Sequence, residues 1–547
     1  MEAMNSKRMI CYDCCLAAVL SLGTTIMTRV RYTGLGGPKE DNFVARFGVS
    51  SIVLFCLLFV VFLFAIHYTN GPMKTILARI ALKEQRRQSR KRIIGIWAVI
   101  IVLAWIPYYL SYYPGGIFAD TLGSIRYALA GDLTNRHPFF YTVLIGLSIK
   151  AANLFHRDLT RAIGVFTAVQ MLVLQCEILY FMVWMLRHGV NRVVRIACSS
   201  FFVFFPLVPL YAISVWKDTP FCIAVLFWMM FAVDLYVEVI EEKVRKRTLA
   251  GFGIGMFLVA FTRNNGIYVV IFSVVVLVII FWSRARRERS CRAAVAVGIL
   301  LAIVIGVIQG PVYNIVGIQY TAKVENFGIP LQQIGAVVAY DGCITEEQKE
   351  TIDRFMPREA MKNSYCPTMV DTIKWAPEFD EKYFSAHISE FLKLWLQLLK
   401  QNLAIYCKAY LMATVGFWNV DFSSGNAYVQ NFVWQNEMGI AMHDYFEEWF
   451  GFSFQHFVNP RNPISNAWFF WIFFVAAWFC MKHYGARAFF LFTPQIGVWL
   501  TLMVATPIAV SLRYIASNMF TLPFVIIVPL LLERTKRTEN DEEPVTE

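Results

Sequence analysis

Apolar residues along this chain gather in blocks of about 20, the length of helix that crosses roughly 30 Å of hydrocarbon. Twelve blocks predict spanning helices, near 9–28, 47–68, 93–110, 162–186, 193–213, 220–239, 248–262, 266–282, 293–317, 463–480, 487–507 and 514–532. Between them lie basic stretches: KEQRRQSRKR (83–92), RHGVNRVVR (187–195), EEKVRKR (241–247), SRARRERSCR (283–292) and ERTKR (533–537). Lys and Arg accumulate in cytoplasmic loops, so all five stretches, and both termini, are expected inside.

Two further apolar stretches do not fit as spans. If 139–155 crossed, RHGVNRVVR would face outward and the later basic loops would alternate wrongly, so a helix lying at the outer surface is expected. Residues 391–417 carry Lys393, Lys400, Gln401, Asn402 and Lys408 among Leu and Tyr at helical spacing, which predicts one amphipathic helix. The expected organisation is a two-helix extension (1–92), a seven-helix module (93–317), an extracytoplasmic segment (318–462), and three closing helices with a charged tail (463–547).

Composition agrees with this all-α polytopic reading. Of 547 residues, 57% are hydrophobic and only 16% charged, which excludes an ordinary soluble enzyme and a disordered chain. The net charge of +12 reads first as a topology signal, with no nucleic-acid partner implied. Residues 318–390 carry the opposite bias, twelve Asp and Glu against seven Lys and Arg. The twelve cysteines show no paired CxxC or Cys/His spacing of a metal site, and no cofactor is expected, with metal use an open question. Cys343 and Cys366 fall in the outer segment, where a disulfide is one of two open alternatives. Asp13 interrupts the first apolar run and no small-residue cleavage site follows, so a signal anchor is expected there. The lack of any N-x-S/T sequon favours a bacterial envelope.

Polar residues that a membrane protein does not need for solubility mark the candidate chemistry. Asp120 follows YYPGGIFA, where Pro-Gly-Gly forces a turn and a helix then starts; it is either a capping residue or a catalytic carboxylate. His137-Pro138 reads as a further helix start. Lys217 and Asp218 in WKDTP form either a neutralised pair in a turn or part of a site. The hairpin Thr262-Arg263-Asn264-Asn265-Gly266 needs Asn and Gly but not Arg. Arg263 there, and Arg513-Tyr514 at the last block, either snorkel to headgroups or bind phosphate with their planar donors. The predicted topology places all of them on one side of the membrane.

The strings YPGGIFAD, NRHPFFYTVLIG, VWKDTPF, TRNNGIYV, IPLQQIG and LRYI, in that order, resemble a bacterial branch of the GT-C superfamily of membrane glycosyltransferases. The general resemblance covers 93–317 and the branch-like one runs to the end, leaving 1–92 outside. A single Asp stands in the first loop where several GT-C families carry an acidic pair, which leaves metal use open.

The resemblance implies a GT-C-like fold and an outward-facing glycosyltransferase. Its donor would be a polyprenyl-phosphate-linked sugar, and its acceptor an envelope glycan, lipid or protein. It implies catalytic Asp120 and Asp218, with Asp120 as general base in an inverting displacement. Lys217, Arg263 and Arg513 would bind the donor phosphate; His137, Asn264, Asn265, Gln332, Gln333 and Tyr514 would bind substrate. A flippase of lipid-linked precursors, or an oligosaccharide ligase or polymerase, are the alternatives.

Overall fold

The computed structural model describes residues 2–32, 43–82, 90–154, 158–421, 433–458, 464–505 and 508–542. Residues 83–89 of the first basic stretch lie outside the described residues. Apart from a short antiparallel pair, β1 (Val30–Tyr32) and β2 (Phe43–Ala45), the regular structure described is helical. The first twelve helices are α1 (Glu2–Arg29), α2 (Val49–Leu82), α3 (Arg90–Ser111), α4 (Ala119–Ala130), α5 (Phe139–Leu154), α6 (Leu159–Arg187), α7 (Arg192–Phe204), α8 (Leu207–Ala212), α9 (Asp218–Ile240), α10 (Lys246–Thr262), α11 (Gly266–Ala285) and α12 (Arg289–Val307).

Among the described residues, eight helices are long and apolar enough to cross a bilayer, and the protein is a helical membrane protein. These eight coincide with eight of the twelve apolar blocks. Of the other four blocks, 248–262 and 463–480 are single helices and two divide. Block 193–213 divides into α7 and α8 at Phe205-Pro206, because proline has no N–H to continue the ladder. Block 514–532 divides in the same way before Phe524, after Pro523. Helix α10 has 17 residues. The block at 463–480 starts at Ala467 and ends with Lys482 and His483 in its last turn. Helix α5 has 16 residues, about 24 Å at 1.5 Å per residue, short of a full crossing.

The bundle has two chemically distinct ends. At one, Arg534 donates to the carbonyls of His188 and Gly189 at 2.8 and 2.6 Å, and Arg284 donates to the Ile240 carbonyl at 3.1 Å. Residues of the predicted basic loops 187–195, 241–247 and 533–537 line one cleft there, and Arg284 of 283–292 pairs with Glu242 at its edge at 3.4 Å. At the other, the long segment after residue 318 folds on its own core, in which Leu331, Ile334, Phe355, Phe384, Phe391 and Tyr406 are buried together.

That segment corrects one expectation. Residues 391–417 are two helices, Ile388–Gln401 and Leu403–Thr414, followed by a 3-10 turn. The break falls at Asn402, whose side chain accepts from the Cys343 N–H and donates to the Cys343 carbonyl, both at 2.8 Å, and so fastens the next loop. Cys343 and Cys366 are both free thiols.

The N-terminal extension is tied to the closing helices by charge. Asp13 and Lys482 pair at 2.5 Å, both buried, and the Asn70 amide donates to Asp13 at 3.3 Å. Asp13 has company inside the helices: Glu177 of α6 is buried, and Asp234 of α9 accepts from the Trp184 indole at 2.7 Å.

Candidate active site

The site is built around a clamp between two loops. Residues 112–118 leave α3 through a cis Tyr113–Pro114 bond and Gly115, whose φ is +124°. A side chain at Gly115 would meet the Ile213 carbonyl and lie 2.8 Å from Thr167 Oγ1, so only glycine fits this close approach. The Gly116 N–H donates to the Ile213 carbonyl at 3.0 Å, and the Val215 N–H donates to the Gly116 carbonyl at 2.9 Å. The clamp sets the first turn of α4 beside the turn that opens α9. Phe118 packs against Trp216 with the rings tilted at 31° and their centroids 4.1 Å apart.

Asp120 lies in the first turn of α4, and its carboxylate reaches outward to two cations. Arg513 Nη1 donates to Asp120 Oδ2 at 2.9 Å from 393 residues away, and Lys217 Nζ lies 3.4 Å from the same oxygen. The Asp120 side chain is 32% exposed, and the hydrogen bond it accepts falls on Oδ2, with none on Oδ1 among the described residues. The Lys217 ammonium also donates to His137 Nδ1 at 3.3 Å. Arg513 bonds the Tyr514 hydroxyl at 3.2 Å, with its guanidinium 5.9 Å from the Trp216 ring.

Beneath this open pair is a closed one. Arg263 Nη1 lies 3.2 Å from Asp218 Oδ1, with side chains 8% and 1% exposed. Arg263 also donates to the Tyr514 carbonyl at 3.1 Å and lies 5.1 Å from the Tyr514 ring. Among the described residues, neither Asp218 oxygen accepts a hydrogen bond, and the buried Tyr211 hydroxyl and Trp216 indole N–H are also without one.

These positions change several roles read from sequence. Arg263 has its guanidinium engaged by Asp218 and Tyr514 in the interior, so it supports the site from below. Asp218, a proposed catalytic carboxylate, is buried under the same contact. Asn264 donates to the Asn135 carbonyl at 2.9 Å and Asn265 to Thr501 Oγ1 at 3.0 Å, tying the hairpin to neighbouring segments. Gln333 donates to the Tyr406 carbonyl at 3.2 Å and accepts from the Trp395 indole at 2.8 Å, so the core of the long segment uses its whole amide. Gln332 bonds the Cys366 carbonyl at 2.5 Å. Trp216, passed over in sequence, forms one wall; its only signal was its place directly before Lys217.

Burial by itself would raise the Asp120 carboxyl, but Lys217 and Arg513 outweigh it and hold the group well below the usual carboxylate range. Burial first, then the Lys217 ammonium, push the His137 imidazole down to about 3 against the pull of Asp120. Asp120 is thus ionised and His137 neutral at every ordinary pH. Counted over these five side chains alone, three cations (Lys217, Arg263, Arg513) face two carboxylates, one positive charge in excess.

A pH prediction follows from the depressed carboxyl. Its stabilising contribution is present above the unfolded value of about 4 and is lost as pH falls below it toward the folded pKa. The Tm difference between wild type and Asp120→Asn should stay constant from pH 8 to 5, within about 1 °C, and shrink only below about pH 4. A difference that shrinks between pH 7 and 5 contradicts the assignment.

Among the described residues, no group of three or more His, Cys, Asp or Glu is arranged to hold a metal ion. Comparison with known families gives one match, over residues 129–543, to a family of unknown function (DUF6020). The chain belongs to this family. No curated protein and no solved structure matches it. The DUF6020 match includes His137, Lys217, Asp218, Arg263 and Arg513 and begins nine residues after Asp120.

Proposed function

We propose that this protein is a membrane glycosyltransferase that moves a sugar from a polyprenyl-phosphate-type carrier to a hydroxyl of an envelope acceptor, at the extracytoplasmic face. The observation that carries this reading is the Asp120 carboxylate, held on one oxygen by Arg513 and Lys217 and open on the other. A part-exposed anion beside two cations, with a net positive charge, suits a site that receives a phosphate and also needs a base.

In the proposed step, the acceptor hydroxyl gives its proton to Asp120 Oδ1 while its oxygen forms a bond to the anomeric carbon. The bond from that carbon to the phosphate oxygen breaks, and the electron pair leaves with the phosphate. Arg513 and Lys217 stabilise the charge that develops there. A single displacement inverts the anomeric centre. The low basicity of Asp120 beside Arg513 and Lys217 fits this order of events: as the donor phosphate takes over those two cations, the carboxylate loses its counter-ions and becomes a stronger base. The Asp218–Arg263 pair holds Tyr514, and through it Arg513, in place.

The test is transfer in proteoliposomes. With a panel of radiolabelled polyprenyl-phosphate and polyprenyl-diphosphate sugars supplied to the site face, label should move to an envelope-extract acceptor with inverted configuration. If lipid-linked sugar instead crosses the bilayer intact and no glycosidic bond forms, the protein is a flippase and the transferase reading fails.

A further inference from the structure

A second surface at the same end of the bundle has no part in the proposed chemistry. Residues 433–458 form a strap after the long segment, with the helix Tyr445–Phe450 and a 3-10 turn at Phe454–Phe457. Its backbone pairs with the loop that presents Asp120. The Trp434 N–H donates to the Ile117 carbonyl at 3.0 Å, the His443 N–H donates to the Tyr113 carbonyl at 2.8 Å, and the Gln455 side chain donates to the Ser111 carbonyl at 2.7 Å.

The strap turns large aromatic groups outward. Trp449 is 63% exposed and Phe457 74%, and Phe450 and Phe452 are also exposed. A soluble surface does not hold four such rings together without a partner. Their depth along the bundle indicates what covers them. Phe454 packs edge-on against Tyr108 at 5.1 Å, and Tyr108 lies three residues, about 4.5 Å, inside the end of the spanning helix α3. At that level the medium around the protein is the boundary between headgroups and acyl chains, where Trp and Phe partition well. Of the two exposed carboxylates of this helix, Glu448 lies 2.8 Å from His443 Nε2, which lowers its cost near the lipid boundary, and Glu447 is one position before it at the start of the helix.

We infer that the strap is a membrane-seated element: Trp449, Phe450, Phe452 and Phe457 insert into the leaflet on the site end of the bundle. The seat fixes the depth of the Asp120 loop, because the strap and that loop share main-chain hydrogen bonds. The partner is lipid and not a second protein.

Photo-crosslinking in the full-length protein tests this. p-Benzoylphenylalanine is placed singly at Trp449 and at Phe457, with Val60 on α2 as a lipid-facing control and Glu350 of the long segment as an aqueous one. Each protein is reconstituted in nanodiscs of phosphatidylglycerol and phosphatidylethanolamine containing an alkyne-tagged acyl lipid. Positions 449 and 457 should capture tagged lipid at yields close to that at 60 and several-fold above that at 350. Yields no higher than at 350, or adducts to a second polypeptide in place of lipid, overturn the inference. Monodisperse elution of each labelled protein shows that it is folded.

Discussion

Asp120→Asn should lower sugar transfer by about 10²–10⁴-fold, the contribution that a positioned general base makes, while protein yield and elution stay as in wild type. Asparagine keeps the shape of the side chain and still offers an oxygen to Arg513 and Lys217, but its amide cannot accept the acceptor's proton. The part-exposed setting makes the change tolerable for folding, since water reaches the two cations once their counter-ion is gone. Donor binding should not weaken, because removing a negative charge from between Arg513 and Lys217 frees both for phosphate. The loss therefore falls in kcat, with KM for donor unchanged or lower. Transfer at the wild-type rate by folded Asp120→Asn protein would remove Asp120 from the mechanism.

The second large effect is on stability and comes from the buried pair. Arg263→Ala leaves Asp218 in the interior without a counter-ion, with neither oxygen hydrogen-bonded. Breaking such a pair by removing one partner costs about 3–5 kcal/mol, and Tm should fall accordingly. Adding Asp218→Asn to the same chain removes the uncompensated charge and should recover a substantial part of that loss. A single Arg263→Ala variant as stable as wild type would show that the pair is not buried as described. Donor binding by whatever folded fraction remains separates this role from direct phosphate contact: a support residue leaves Kd within a few-fold.

Much of the fold was legible because partitioning into hydrocarbon is a local property, summed over a window of about 20 residues. The eight helices long enough to span all fall on predicted blocks. The errors came where backbone chemistry interrupted an apolar window. Pro206 and Pro523 divided two blocks, and Asn402 divided the amphipathic stretch by bonding the loop at Cys343 instead of continuing the helix.

The site was legible in part and for a different reason. Arg263 stood out because its turn does not require an arginine, and Asp120, Lys217 and Arg513 because the predicted topology gathered them with it on one side of the membrane. Their division into an open and a closed ion pair was not legible, since the side chain of each arginine chooses its partner by packing. Gln332 and Gln333 show what a sequence string leaves out. They looked like sugar ligands in IPLQQIG, but the nearest polar groups available on folding were the carbonyls of Cys366 and Tyr406.

The sequence by itself determined that this chain lives in a membrane, where its long helices lie and which residues are candidates for chemistry. Those follow from transfer free energies that act residue by residue. Only the tertiary structure decided that Asp120 meets Arg513 across 393 residues, that Asp218 neutralises Arg263 in the interior, and that the strap at 433–458 carries the loop that presents Asp120. Ion pairs and main-chain bridges of this kind depend on a few ångströms of separation between distant segments, a quantity that no local window of residues contains.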